Sequence, residues 1–145
     1  MPSDADKFID LYRCHAPAWT RQRGKKLVER QCLDKFIELQ SDTPSVLDIG
    51  CGSGEPIDRY LLECGCPLTG VDASPELLEI ARDSLPSATW ISADMRGLDL
   101  RTQFHGLLAW NSTFQLTPDD QRRMFPIFRQ HAAPGTALTF TSGPA

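Results

Sequence analysis

The chain has 145 residues and a mass of 16.2 kDa, which is enough for one domain with a substantial core. Lysine and arginine total 15 against 19 acids, and this acidic balance argues against a dedicated nucleic-acid-binding protein, which needs a basic face. The longest apolar run, 106–110, is too short to cross a bilayer, and the acidic N-terminus, MPSDADKF, lacks the basic start of a signal peptide. We therefore expect no membrane association and a cytoplasmic location.

Before residue 45 the sequence favours helices. Residues 6–14 predict a short helix, and 25–39 carry an apolar stripe of helical period. Residues 1–44 are therefore predicted to form a helical cap, or lid, over a core built from 45–145. A basic cluster within it, from Arg21 to Arg30, is either a solvated helix face or a basic lip beside an anionic ligand.

The five cysteines have no spacing that indicates a disulfide framework or a zinc site. Cys64 and Cys66 form a C-x-C pair, and the three histidines lie far apart in the sequence. We expect reduced, mostly buried thiols and no bound metal.

From residue 45 onward, short apolar runs alternate with helical segments. The predicted strands cover 45–49, 67–72, 88–93, 106–111 and 136–142, and the predicted helices cover 56–62, 74–85 and 117–131. This alternation requires right-handed crossovers and a parallel sheet that is covered on both faces. The predicted fold class is α/β, a doubly wound, mostly parallel sheet, within a single domain spanning 1–145.

A glycine-rich turn, DIGCGSGEP, follows the first predicted strand. Gly50, Gly52 and Gly54 allow a sharp bend and a close approach of backbone to ligand. Asp72 ends the second strand and Asp94 follows the third. Because the carboxyl ends of parallel strands meet at one edge of the sheet, these residues predict a nucleoside site there.

The segments DIGCGSG, GVDASPELLEIAR and ISADMR resemble the class I S-adenosylmethionine-dependent methyltransferases over nearly the whole chain. The resemblance implies a Rossmann-like sheet of order 3-2-1-4-5, S-adenosylmethionine as cofactor and a small-molecule acceptor. The nicotinamide fingerprint G-x-G-x-x-G fails because residue 55 is Glu. Two alternatives stay open: a non-catalytic S-adenosylmethionine-binding module, and an NAD-linked oxidoreductase.

The resemblance also implies a role for each candidate site residue. The glycine turn with Cys51 would wrap the methionine part of the cofactor, and Asp48 would lie behind the ammonium. Asp72 would bind the ribose, Ala73 the adenine face, and Asp94 with the Met95 backbone the adenine edge. The remaining candidates are Tyr12 from the cap, and Trp110 and Asn111 at the tip of the fourth strand. Arg21 or Arg23 could pair with the cofactor carboxylate, although a solvated role is favoured.

The sequence departs from the family in two places. His105 stands where members of the family often have Asp, but it precedes the fourth strand and is interpreted as structural, so no catalytic base is assigned. The family's C-terminal β-hairpin is missing after the fifth strand, which suggests truncation. An exposed last strand then predicts pairing with a second copy of the chain, or marginal stability.

Overall fold

The computed structural model describes residues 29–40, 44–110 and 116–141. Tyr12, Asn111 and the predicted helix at 6–14 lie outside the described residues. The helices are α1 (Arg30–Glu38), α2 (Ile57–Glu63), α3 (Pro75–Ser84) and α4 (Pro118–His131), with one 3-10 turn at Met95–Gly97. The strands are β1 (Val46–Ile49), β2 (Leu68–Asp72), β3 (Thr89–Ser92), β4 (Phe104–Ala109) and β5 (Ala132–Phe140).

The five strands form one sheet in the order β3-β2-β1-β4-β5, and every neighbouring pair is parallel. The predicted class and strand order are therefore confirmed. Val46, the first residue of β1, lies beside Leu68, the first residue of β2, and beside Gly106, the third residue of β4. The carboxyl ends of these strands consequently lie side by side, and the turn after β1 is central between the tips of β2 and β4.

Alternation along β1 divides the core into two layers. Val46 packs with α1, α2 and α3 on one face, where Leu33 and Phe36 of α1 are buried. Leu47 and Ile49 point to the opposite face, which α4 covers. The described part of the predicted cap thus contributes a core helix, and the lid role of residues 1–28 stays a prediction.

The predicted bounds of the last two strands are wrong. The sequence predicts the fourth strand at 106–111, whereas the strand runs from Phe104 to Ala109. The sequence predicts that the fifth strand begins at Thr136, after a break at Pro134-Gly135, but it begins at Ala132. The physical reason is pairing with β4: Ala132 lies beside Phe104, and the pairing resumes with a register shift at Ala137 beside Gly106.

Candidate cofactor site

The turn after β1 is fixed to β2 by its own backbone. The amides of Gly50 and Cys51 both donate to the carbonyl of Val71, at 2.7 and 3.0 Å. Gly50, Gly52 and Gly54 all have positive φ, at 81°, 60° and 81°. This left-handed backbone is strained for residues with a side chain, so the glycine spacing is what permits the turn.

Gly52 lies at an open point of the turn. A Cβ added there would meet no atom within 4 Å, so the glycine leaves space that a ligand can enter. Its amide donates to one carboxylate oxygen of Asp72 at 2.9 Å, and the Ser74 amide donates to the other at 2.9 Å. Asp72 therefore links the turn after β1 to the start of α3.

Asp72 lies at the tip of β2 and is half-buried. Burial raises the pKa of Asp72, and hydrogen bonds from backbone amides, including those of Ser74 and Gly52, oppose that rise. A carboxylate oxygen can accept more than one hydrogen bond, so Asp72 retains acceptor capacity for ligand hydroxyls.

Trp90 of β3 supports the turn from beneath, a role that sequence reasoning missed. A Cβ on Gly54 would meet the Trp90 ring at 2.9 Å, and a Cβ on Gly70 of β2 would overlap it. The indole N–H donates to the Leu85 carbonyl at 2.9 Å, which fixes the ring orientation. The available signal was a pair of glycines, Gly54 in the turn and Gly70 in β2, that together leave room for one large ring.

Asp94 is held by an arginine two residues later. Its carboxylate accepts from Arg96 Nε at 3.0 Å and Nη2 at 2.5 Å, and from the Arg96 amide at 3.0 Å. Arg96 Nη1 also lies 3.6 Å from a carboxylate oxygen of Asp120 on α4. The loop after β3 is thereby tied to the N-terminal turn of α4, another contact that sequence reasoning missed.

Asp48 lies within β1 rather than in the turn, and it is buried. It faces Asp58 of α2, which is fully buried and which the sequence analysis did not select. Burial raises the pKa of Asp58 well above its usual value, and the neighbouring Asp48 carboxylate raises it further. Burial also raises the pKa of Cys51, which favours the neutral thiol over a thiolate nucleophile.

The predicted site residues that the structure describes gather at one edge of the sheet. Those directly at the strand tips or in the turns are Gly50, Cys51, Gly52, Gly54, Asp72, Ala73, Asp94, Met95 and Trp110. His105 lies at the opposite end of β4, where its ring pairs with the Ser45 hydroxyl at 3.2 Å. The structure thus places His105 away from the candidate site, as expected.

Within the described ranges, no group of three or more His, Cys, Asp or Glu side chains is arranged as metal ligands would be. The buried His131 is accounted for structurally: its Nε2 accepts from the Leu100 amide at 3.0 Å, and its Nδ1 lies 2.8 Å from the Ile127 carbonyl. His131 therefore helps to hold the loop before β4 against α4.

A doubly wound sheet with a glycine turn and strand-tip carboxylates defines a nucleoside-cofactor-binding α/β protein. A family model described as a methyltransferase domain matches residues 46–135. The chain belongs to this methyltransferase-domain family.

Curated relatives include a dTDP-4-amino-2,3,4,6-tetradeoxy-D-glucose N,N-dimethyltransferase of Saccharopolyspora spinosa, 27% identical over 92% of this chain and 52% of the relative. A trans-aconitate 2-methyltransferase of Enterobacter sp. (strain 638) is 38% identical over 79% of this chain and 42% of the relative. The chain thus spans about half the length of the curated relatives it matches.

Among solved structures, SAM-bound CalS10, an amino pentose methyltransferase from Micromonospora echinaspora, superposes with a TM-score of 0.74. It is 26% identical, and the match covers 88% of this chain and 56% of CalS10. The [4+2]-cyclase SpnF reaches a TM-score of 0.79 at 18% identity, over 97% of this chain and 60% of SpnF, which is a likeness of fold alone.

Proposed function

We propose that the chain binds S-adenosylmethionine across the tips of β1 to β4 and supplies the cofactor-binding part of a methyltransferase with a small-molecule acceptor. The observation that carries this proposal is the open, left-handed turn at Gly52, which is hydrogen-bonded to the carboxylate of Asp72. The relatives support it, since they are named as methyltransferases of amino sugars and of trans-aconitate.

The residues present fit such a cofactor. The gap above Gly52 accommodates close approach, Asp72 offers acceptors to a ribose, and Asp94 offers acceptors beside the adenine position. When bound, the sulfonium supplies an electrophilic methyl carbon. The protein's task is then to orient the cofactor and the acceptor and to exclude water, because in-line displacement gains most from positioning.

The roles proposed for the remaining site residues follow the same arrangement. Cys51 and Trp110 flank the amino-acid part of the cofactor, and Ala73 and Met95 flank the adenine. Tyr12 and Asn111, outside the described residues, stay candidates for the cap and for acceptor orientation. No catalytic base is proposed.

The test is equilibrium binding measured by calorimetry with S-adenosylhomocysteine and, separately, with NAD. We expect binding of S-adenosylhomocysteine, a loss of about 1–3 kcal/mol in Asp72→Ala, and no loss in the exposed control Asp83→Ala. Tight NAD binding without S-adenosylhomocysteine binding would favour an oxidoreductase and overturn the proposal.

Turnover needs its own experiment, since SpnF shows that this fold also occurs in a cyclase. Incubation with S-adenosylmethionine and a panel of amino sugars and carboxylic acids should yield S-adenosylhomocysteine. Binding without turnover on any acceptor would instead favour a non-catalytic binding module.

We also propose a cytoplasmic location, no nucleic-acid partner and a second copy of the chain as partner. No described helix is both long and apolar enough to cross a membrane. The proposed self-association uses the outer edge of β5, beside which Phe125, Leu138 and Phe140 are 53%, 39% and 40% exposed.

A further inference from the structure

Two carboxyl groups are buried together directly behind the glycine turn. Asp58, in the first turn of α2, has no exposed surface, and Asp48 of β1 is 4% exposed. A Cβ on Gly54 would lie 3.5 Å from the Asp58 Cβ, which places Asp58 immediately under the turn. Neither carboxylate oxygen of Asp58 receives a hydrogen bond from a donor in the described part of the chain.

A buried, ionised carboxylate without donors is very costly, so it neutralises by taking up a proton. The Asp48 carboxylate is close enough to Asp58 to raise its pKa, both through its charge and through a shared hydrogen bond with the protonated acid. Two adjacent buried carboxylates cannot both ionise readily, but a proton on Asp58 removes one of the two charges and lets the acid donate to the Asp48 carboxylate.

The other groups near Asp58 also favour its protonated state. Glu55 of the turn adds negative charge but is paired with Arg59, the residue that follows Asp58. The Cys51 thiol also faces the pair and is neutral because burial raises its pKa. Trp90 and Leu85, which pack against the turn beside Gly54, carry no charge. Among the described neighbours, no cation therefore stabilises an ionised Asp58 directly.

We propose that Asp58 is a positioning residue for the cofactor site: it carries a proton at neutral pH and donates it to Asp48, which fixes that carboxylate and the glycine turn in place. The pair then holds a single negative charge behind the turn that would receive the cofactor's amino-acid part. The protonation state stands on the fold alone, whereas the positioning role rests on the proposed function.

The first test uses ligand-free protein and thermal melts across pH. Asp58→Asn keeps the size of the side chain and a donor but cannot titrate. Between an unfolded aspartate pKa of about 3.9 and the raised folded pKa, the native wild type holds the extra proton, so its stability falls as pH rises. We expect the melting temperature of the wild type to fall relative to Asp58→Asn as pH rises above about 4.

The matched control is Glu63→Gln on the same helix, where the side chain is exposed, and it should follow the wild type. Infrared spectra at neutral pH should show a protonated carboxyl band in the wild type that is missing in Asp58→Asn. Parallel melting curves for the wild type and Asp58→Asn, together with no such band, would overturn the assigned proton.

The second test measures S-adenosylhomocysteine affinity at neutral pH. Asp58→Asn should bind within about threefold of the wild type, whereas Asp58→Leu, which cannot donate to Asp48, should bind at least about tenfold more weakly. Wild-type affinity in Asp58→Leu would overturn the positioning role even if the melts support the proton. If the wild type itself binds no S-adenosylhomocysteine, the proposed function and the positioning role both fail, while the melts still decide the protonation state.

Discussion

At the scale of single residues, Arg96 controls how Asp94 is presented at the tip of β3. The guanidinium contacts both carboxylate oxygens, and such paired contacts fix the plane of the carboxylate. Arg96 thus orients the carboxylate that is proposed to accept a hydrogen bond from the adenine amino group.

Replacing Arg96 should therefore weaken cofactor binding. In Arg96→Ala the Asp94 side chain gains rotational freedom, and we expect a loss of about 1 kcal/mol in S-adenosylhomocysteine affinity by calorimetry. Arg96→Lys keeps the charge but not the two-point contact, so its affinity for S-adenosylhomocysteine should lie between those of the wild type and Arg96→Ala. Arg122→Ala removes a similar pair with Asp119 on an exposed face and is the control. Unchanged or tighter binding in Arg96→Ala would contradict the orienting role.

The sequence identifies candidate site residues only where a local pattern marks them. Gly52 and Asp72 stand out because the glycine spacing and a strand-end acid are local patterns, and the structure joins the two by a hydrogen bond. Asp58 and Trp90 were missed because their significance comes from neighbours on other strands. Nothing in the neighbouring sequence indicates that an Asp in a helix or a Trp in a strand lies beneath a turn.

At the scale of elements, local chemistry predicts helix starts better than strand ends. The sequence predicts helices that start at residues 74 and 117. Proline opens both helices, and the hydroxyls of Ser74 and Thr117 accept from amides three residues ahead. The start of β5 was wrong because Pro134-Gly135 breaks regular structure locally, while pairing with β4 carries the strand through that point as an irregularity.

Removing the cap of α4 should destabilise the whole sheet. The Thr117 hydroxyl accepts from the Asp120 amide at 3.2 Å, and α4 covers one face of the core through Met124 and Phe128. Thr117→Ala should lower the free energy of unfolding by about 1 kcal/mol in urea titrations, with an unchanged slope. Thr102→Ala, in an exposed loop, is the control. A urea midpoint of Thr117→Ala equal to that of the wild type would show that the cap does not stabilise the fold.

At the scale of the whole molecule, periodicity predicts a doubly wound sheet but does not order its strands. The order 3-2-1-4-5 followed from the resemblance to a family, because apolar runs of similar length do not identify their neighbours. The order matters for function, since it places β1 centrally and brings the turn at Gly50 between the tips of β2 and β4.

The edge position of β5 leads to a prediction about assembly. Along the described residues β5 hydrogen-bonds to β4 on one side, while its outer edge pairs with no other strand. Phe125 of α4 stacks edge-on against Phe140 with ring centroids 5.9 Å apart, and this aromatic pair remains half-exposed beside Leu138. An unpaired edge flanked by apolar side chains favours association with another strand edge.

We expect the 145-residue chain to form a dimer in light-scattering measurements at micromolar concentration, through antiparallel pairing of two β5 edges. Leu138→Lys places charge beside that edge and should shift the population to monomer, because charged edge positions oppose strand pairing. Leu39→Lys is the matched control, since Leu39 is also exposed, at 61%, but follows α1 rather than lying on β5. Because the described candidate cofactor residues all lie before β5, the monomeric Leu138→Lys variant should still bind S-adenosylhomocysteine. A wild-type chain that stays monomeric at every concentration, or a Leu138→Lys dimer as stable as the wild-type dimer, would show that this edge does not mediate association.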